Sequence, residues 1–178
     1  MQLPMAQFSA NFSVNHPQRR PTPMLVDIDS TDRKILATLQ KEGRLTNQEL
    51  SERVGLSPSP CLRRMKHLED VGVISKYVAI VDAASVGLEI TAFARVTLER
   101  QESLVLDAFE RAISKWPEVM ECYLMTGQAD YQLRVVTSSL SSYELFLRER
   151  LTKAPGVASI QSSLAFRPVI YRTELPLT

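Results

Sequence analysis

The patterned part of the chain begins with hydrophobic residues at helical spacing. Ile35, Leu36 and Leu39 fall on one stripe of a helix, and Asp29 or Ser30 can accept hydrogen bonds from its first free N–H groups. Acidic residues at this end also suit the positive end of the helix dipole. The pattern therefore predicts a first amphipathic helix, which ends at the glycine that follows it.

Two further helices are predicted after short breaks. Thr46 and Glu49 form a capping box, in which each side chain accepts a hydrogen bond from the other residue's backbone N–H, and Gly55 ends that short helix. Ser57 is a capping residue type and Pro58 suits the first helical position, so a third helix is predicted up to about residue 71. Two short helices joined by a tight glycine-containing turn are typical of a helix-turn-helix.

The third helix has two chemically different sides. One side is predicted to pack on the first two helices and consists of Cys61, Met65 and Leu68. Ser59, Arg63 and Lys66 fall on the opposite side, and no acidic residue occurs from 57 to 67. A basic exposed face could simply be solvated, but the three capped helices around it favour a recognition helix in the DNA major groove.

We predict that this helix and the segment after it contact double-stranded DNA. Arginine can bond guanine in a bidentate manner, whereas lysine and free helix N–H groups hold phosphates. The β-rich run at 73–81 suits a short hairpin or wing followed by a hinge strand. The predicted DNA-binding residues are Ser57, Ser59, Pro60, Leu62, Arg63, Arg64, Lys66 and Lys76.

From residue 89 onward, strand and helix patterns alternate in the order β-α-β-β-α-β, which is the ferredoxin-like arrangement. Strands are predicted at 89–99, 119–126, 131–137 and 157–166, one helix is capped by Ser103, and another starts at Ser139 or Ser141. Alternation along the first strand places Thr91, Arg95, Thr97 and Glu99 on one face and, on the other, the apolar residues Ile90, Ala92, Ala94, Val96 and Leu98. The helices are expected to bury Leu106, Phe109 and Ile113 in the first and Leu140, Tyr143, Leu147 and Leu151 in the second. With the helical first part, the fold class is α+β.

This arrangement has a consequence for assembly. A four-stranded sheet with both helices on one face leaves its other face bare. If that face is apolar, it invites a second copy of the chain, so a homodimer is expected. A two-fold dimer would also match a pseudo-palindromic DNA site.

Composition narrows the possible functions. The chain has 178 residues with 21 basic and 20 acidic side chains, so only local charge can favour DNA. Cys61 and Cys122 match no metal or disulfide framework, which favours a reducing, cytoplasmic compartment. No apolar run approaches the roughly 18 residues that cross a membrane, so no membrane partner is expected.

The predicted organisation has four parts. Residues 1–24, proline-rich and free of acids, are expected to be a disordered arm. A winged helix-turn-helix domain is expected at 25–81, a hinge at 82–88, and a ferredoxin-like domain at 89–178. No histidine lies in the second domain and no glycine-rich phosphate loop is present, so we expect no enzyme, no metal site and no cofactor.

The sequence resembles the leucine-responsive / asparagine-regulator (Lrp/AsnC) family of bacterial and archaeal regulators from about residue 25 to the C-terminus. In the first domain, the matching segments are Asp29-x-x-Asp32-Arg33-Lys34-Ile35-Leu36, Gly43-Arg44-Leu45-Thr46, Glu49-Leu50, Val54-Gly55-Leu56-Ser57, Pro58-Ser59-Pro60-Cys61-Leu62-Arg63-Arg64-Met65, Leu68-Glu69 and Gly72-Val73-Ile74. In the second, they are Thr126-Gly127-Gln128-Ala129-Asp130-Tyr131 and Pro155-Gly156-Val157.

The resemblance implies a regulator that dimerises through the sheet domain and often forms larger even-numbered assemblies. It also implies that an amino acid or related metabolite binds between dimers, near the turn before the third strand. A glycine turn can offer N–H groups to a carboxylate, and Asp130 could pair with an ammonium. Carried over, the effector-binding residues would be Met125, Thr126, Gly127, Asp130, Tyr131 and Ser162. Ile160 stands where the family often has threonine, which weakens the expectation of polar contacts from the last strand.

Two other functions remain to be weighed. An enzyme has little support, because Cys122 lies in a strand pattern typical of core residues and no carboxylate pair stands out. A metabolite-binding or nucleoid-architectural protein that packs DNA with little sequence specificity is the stronger alternative. Comparing specific with random DNA across salt concentrations would separate it from a specific regulator.

Overall fold

The computed structural model describes residues 26–177, so the arm predicted at 1–24 lies outside the described residues. The described chain divides into two compact units. A helical unit contains residues 26–80 together with 169–177, and a sheet unit contains residues 81–168. The sequence-based division instead assigned the whole stretch from 89 to the C-terminus to the second domain.

The helical unit contains three α-helices, α1 (Ser30–Lys41), α2 (Asn47–Val54) and α3 (Pro58–Asp70). Their caps are those predicted for the first two: Asp29 accepts from two N–H groups of α1, and Thr46 and Glu49 form the capping box of α2. Gly55 ends α2 with φ of 74°, a left-handed conformation that favours glycine. The buried core of this unit is Ile35, Leu36, Leu50, Val54, Cys61 and Leu68.

The start of α3 differs in detail from the prediction. Ser57 occupies the N-cap position, but its side chain makes no capping hydrogen bond. Such a bond goes to the N–H of the second or third helical residue, and the third is Pro60, which has none. Only Ser59 among the first three residues of α3 therefore carries a backbone N–H.

The predicted wing is not formed. Residues 75–82 adopt neither helix nor strand, although Ile74 N–H still donates to Leu68 O at 3.0 Å. A strand requires a partner to pair its backbone groups, and no strand of the described chain lies against this segment. The residue types at 73–81 favour a β-strand, but the described chain contains no strand that pairs with this segment.

The last residues of the chain belong to the helical unit. Gln40 of α1 receives Leu175 N–H on its side-chain oxygen at 2.6 Å and donates to Leu175 O at 3.4 Å. Leu177 packs against the core of the three helices. The chain therefore passes between the two units twice, once near residue 80 and once near residue 168.

The sheet unit has the predicted order of elements: β1 (Ile90–Leu98), α4 (Ser103–Ile113), β2 (Val119–Leu124), β3 (Tyr131–Thr137), α5 (Leu140–Glu149) and β4 (Val157–Ala165). The strands lie in the order β2-β3-β1-β4 with every pair antiparallel, which confirms the ferredoxin-like, α+β fold. Short 3₁₀-helices occur at Ala84–Val86, inside the predicted hinge, and at Leu151–Lys153.

The core of this unit lies between the helices and one face of the sheet. Ala92, Ala94, Val96 and Leu98 of β1 are buried, as the alternation predicted, and they face Leu106, Phe109 and Ile113 of α4. Two helix details differ: Glu102, not Ser103, is the N-cap of α4, and Leu140 is 57% exposed while Phe146 is buried. Leu140 is the first residue of α5, where the helix has only begun to approach the sheet.

The bare face of the sheet is not the apolar surface from which the homodimer was expected. Strand register places on it Phe93, Arg95, Thr97, Glu121, Tyr123, Gln132, Arg134, Val136, Gln161 and Ser163. Most of these side chains are polar, and Arg134 pairs with Glu121 at 2.7 Å. Burial of a hydrophobic sheet face is therefore not a reason for this chain to dimerise. Any contact between two copies of this face would be substantially polar.

Candidate DNA-binding surface and ligand pocket

The exposed side of α3 is a shallow depression lined by Ser59, Leu62, Arg63, Lys66, His67 and Asp70. Arg63 and Lys66 are exposed, and neither forms an ion pair with another residue of the part that the structure describes. Cys61 and Leu68, on the opposite side, are fully buried, and Met65 is partly buried against them. The two-sided helix expected from the sequence is therefore present, with both cations open to solvent.

Arg64, one of the predicted phosphate contacts, forms ion pairs within the helical unit. Its Nη1 lies 2.7 Å from Asp29 Oδ2 and 2.9 Å from Asp32 Oδ1, at the start of α1. The N–H of Asp32 and the guanidinium of Arg64 hold the pKa of Asp29 below its ordinary value. These two ion pairs join α3 to α1, and a phosphate contact by Arg64 would have to compete with them.

The remaining predicted DNA contacts lie at the start of α3 and in the segment that follows it. Ser57 is exposed and Pro60 half-buried at the start of α3, where Asn47 of α2 donates to Pro58 O at 2.9 Å. Lys76 is exposed in the irregular segment after α3. Next to it, the Tyr77 hydroxyl donates to Glu69 at 2.9 Å, and burial with this contact raises the pKa of Tyr77 to about 12.

The sheet unit contains a pocket at the edge of its bare face, beside the β2–β3 turn. Its volume is about 330 Å³, and it is lined by Arg95, Thr97, Met125, Thr126, Gln128, Ala129, Tyr131, Gln132 and Gln161. Three of the predicted effector residues, Met125, Thr126 and Tyr131, border it. Tyr131 does so with its side chain turned away, because its hydroxyl donates to Glu110 at 2.6 Å inside the core.

Three other predicted effector residues do not line the pocket. Asp130 is only 7% exposed and accepts from Leu98 N–H at 2.7 Å and from Gln101 Nε2 at 2.6 Å. Its carboxylate thus accepts hydrogen bonds at the end of β1, and its pairing with an ammonium stays a prediction. Ser162 faces the helices and hydrogen-bonds the Tyr143 hydroxyl at 2.7 Å. Gly127, with φ of 125°, serves the turn itself.

Sequence reasoning missed the strand residues of this pocket. Alternation along β1 already placed Arg95 on the bare face, but only the register brings Gln132 of β3 and Gln161 of β4 directly opposite it. Gln132 could have been found by pairing β1 with β3 in the predicted topology. The same topology pairs β1 with β4, but no local signal sets the register between these two strands, which are separated by the whole domain.

The described residues contain neither a reactive thiol nor a metal-binding cluster. Burial raises the pKa of the Cys122 thiol to about 12, so it stays protonated at neutral pH and is a poor nucleophile. No group of three or more metal-binding side chains occurs between residues 26 and 177. Within the same range, no helix has the length and apolar content needed to span a membrane.

Comparisons with known proteins agree with both units. The profile described as "Winged helix-turn-helix DNA-binding" matches residues 28–75, and the one described as "Lrp/AsnC ligand binding domain" matches residues 91–175. The chain is 41% identical to a leucine-responsive regulatory protein of Rhizobium meliloti over 81% of this chain and 92% of that protein. It is 42% identical to the Bkd operon transcriptional regulator of Pseudomonas aeruginosa over 86% and 100% respectively.

A solved structure extends the likeness to three dimensions. A transcriptional regulator from Neisseria meningitidis, in complex with L-Met, superposes with a TM-score of 0.81 at 43% identity, over 84% of this chain and 97% of that one. The resemblance drawn from the sequence motifs is confirmed, and with it the interpretation of the helical unit as a DNA-binding domain. This chain belongs to the Lrp/AsnC family of transcriptional regulators.

Proposed function

We propose that this regulator reads a specific DNA sequence with the exposed side of α3 and that an amino acid or related small metabolite modulates its occupancy of that site. The observation that carries the proposal is the exposed pair Arg63 and Lys66. Both lie on the side of α3 that faces away from the core, and the N-terminal half of this helix contains no acidic residue. Such a surface can enter a major groove without first breaking an internal ion pair.

The proposed roles differ along the surface. Ser59, Arg63 and Leu62 lie where base edges would be read, and Ser57 and Pro60 border them at the start of the helix. Lys66 and Lys76 hold the sugar-phosphate backbone. Arg64 acts through position, because it fixes the angle of α3 against α1. Two copies of α3 in a homodimer, or in a larger even-numbered assembly, would occupy successive major grooves about 34 Å apart.

The effector half of the proposal rests on the second unit. It matches a ligand-binding domain, it carries a pocket of small-molecule size, and the Neisseria regulator was solved with an amino acid. A ligand that prefers one arrangement of the assembly shifts the equilibrium toward it, and thereby changes DNA affinity.

The test begins with selection of preferred sequences from a random duplex pool by the full-length protein. Fluorescence anisotropy then measures affinity for the selected duplex and for a scrambled one, across a range of salt concentrations. A specific regulator should prefer the selected duplex by at least about 10³-fold at physiological salt. Equal affinity for both would instead support the architectural alternative, which relies on phosphate contacts alone.

The assembly is checked separately by sedimentation velocity of the free protein and of its complex with the selected duplex. A dimer or an even multiple of it supports the proposed reading of two half-sites. A monomer bound to a single half-site at saturating protein would contradict it.

A further inference from the structure

The pocket beside the β2–β3 turn is polar for its size. Its volume of about 330 Å³ suits a small metabolite. Six of its nine lining residues have side chains that can form hydrogen bonds, namely Arg95, Thr97, Thr126, Gln128, Gln132 and Gln161. Apart from the edge of Tyr131, the apolar contribution comes from Met125 and Ala129. A ligand with only an apolar side chain would leave several of these groups without partners, which costs affinity.

Among the described residues that line the pocket, Arg95 carries the only formal charge, and none is acidic. Within the described residues, the one polar contact of its side chain is from Nε to Gln132 Oε1, at 3.4 Å. Arg134, two residues along β3 from Gln132, differs because Glu121 accepts from it at 2.9 and 2.7 Å. One arginine of the bare face is thus neutralised, and the other keeps its outer guanidinium nitrogens open.

The free guanidinium and the amides complement different parts of a ligand. A guanidinium fork binds a carboxylate through two parallel hydrogen bonds. Gln128 and Gln161, for whose side chains the structure shows no hydrogen bond among the described residues, each offer a donor and an acceptor, as a carboxamide requires. Hydroxyls at Thr97 and Thr126 extend the same polar wall.

We propose that this pocket binds a small amino acid with a polar, amide-type side chain, whose carboxylate pairs with Arg95 and whose side chain meets the glutamines. The inference rests on the proposed function and deepens it by naming the ligand class. It also separates this chain from the Neisseria relative, which was solved with the apolar amino acid L-Met. Arg95 and Gln161 are the residues that determine this specificity.

Isothermal titration calorimetry of the full-length protein with L-glutamine, L-asparagine, L-leucine and L-methionine tests the inference. At least one amide amino acid should bind about 10-fold more tightly than either apolar one. Arg95→Ala should weaken that binding at least about 10-fold, while Arg134→Ala, which removes the same charge from the same face outside the pocket, should not. Thermal denaturation of each variant confirms that it is folded.

Gln161→Leu is a second variant that tests the ligand class independently. Gln161 is exposed on the edge strand β4. The substitution should weaken binding of the amide amino acid and strengthen that of leucine or methionine, because it replaces a donor–acceptor wall with an apolar one. Tightest binding of leucine or methionine to the wild type, unaffected by Arg95→Ala and Gln161→Leu, overturns this inference but leaves an amino-acid-responsive regulator standing. Failure of all twenty standard amino acids to bind or to alter affinity for the selected duplex overturns the effector half of the proposed function as well.

Discussion

Arg63 and Lys66 share one side of α3 but are expected to contribute differently to DNA binding. The planar guanidinium of Arg63 can form a bidentate contact with one base, whereas the ammonium of Lys66 acts as a point charge on a phosphate. Both side chains are exposed and form no ion pair among the described residues. DNA binding therefore does not require either of them to break an internal ion pair.

We therefore expect Arg63→Ala to reduce affinity for the selected duplex by about 1–3 kcal/mol and to relax the preference at one base pair. Lys66→Ala should weaken binding to the selected and the random duplex alike, and it should lower the salt dependence of binding by about one counterion. Lys115→Ala, on the exposed surface of the sheet unit, is the matched control for loss of a positive charge. If Lys66→Ala changed sequence preference while Arg63→Ala did not, the assigned roles would be reversed.

Asp130, which the sequence assigned to the ligand, also contributes to the fold. Its carboxylate satisfies Leu98 N–H at the end of β1, where no strand partner is available for that group. Asp130→Ala should therefore destabilise the protein by about 1–3 kcal/mol, because a buried N–H loses its acceptor. Urea denaturation followed by far-UV circular dichroism measures the change. Glu99→Ala, at the exposed residue after β1, is the control; equal stability of the two variants would contradict the structural role.

At the scale of single elements, capping residues determine where the helices begin and also how α3 is held. Asp29 accepts from Thr31 N–H and Asp32 N–H, both at 2.8 Å, and pairs with Arg64 of α3. The side chain of Asp29 thus caps the start of α1 and also holds α3 against it. The same two-helix contact distinguishes Arg64, in a basic run of the sequence, from Arg63 and Lys66, which form no ion pair among the described residues.

This contact makes the helical unit sensitive to acid. The pKa of Asp29 is lowered from an ordinary value of 3.8, first by the backbone N–H of Asp32 and then by Arg64. A depressed folded-state pKa means that the stabilisation is complete above the unfolded value and is lost as pH falls toward the folded value. Stability should therefore decline below about pH 4.

Asp29→Asn keeps a good capping residue but removes the charge, so its stability should fall less steeply than that of the wild type below about pH 4. Urea midpoints across this acid range provide the measurement. Asp27→Asn, an exposed carboxylate two residues earlier, is the control and should follow the wild type. A parallel decline for Asp29→Asn and the wild type would show that Asp29 does not contribute to the acid sensitivity.

For the whole molecule, the tail at 169–177 is the feature that most changes the domain boundaries. It joins the helical unit through backbone hydrogen bonds of Leu175 to Gln40 and through the side chain of Leu177. The residues that lead into it are apolar and exposed: Val169, Ile170 and Tyr171 are between 66% and 80% accessible. The tail is therefore held at its end rather than along its length.

Leu177→Ala should lower the stability of the helical unit by about 1–2 kcal/mol, because a partly buried leucine loses apolar contact. For a unit of this size, that corresponds to several degrees in Tm. Leu175→Ala should have little effect, since its side chain is 70% exposed and its bonds to Gln40 use only the backbone. Differential scanning calorimetry resolves the two; an equal shift for both would contradict docking through Leu177.

The sequence by itself determined the elements and the family. Capping boxes and glycine stops are local, so α1, α2 and α3 could be read within one or two residues, and strict alternation fixed which side of β1 is buried. Interactions over three or four residues carry this information, and they do not depend on the rest of the fold.

Only the tertiary structure decided which functional groups are free. Arg64 and Asp130 have the right residue types for DNA and ligand, yet carboxylates and N–H groups distant in sequence already engage them. Arg95 and Gln161 are brought together by strand pairing across the whole sheet domain, and the predicted wing lacks a partner strand in the described chain. Availability of a polar group depends on its neighbours in space, and long-range pairing leaves no periodic trace in the sequence.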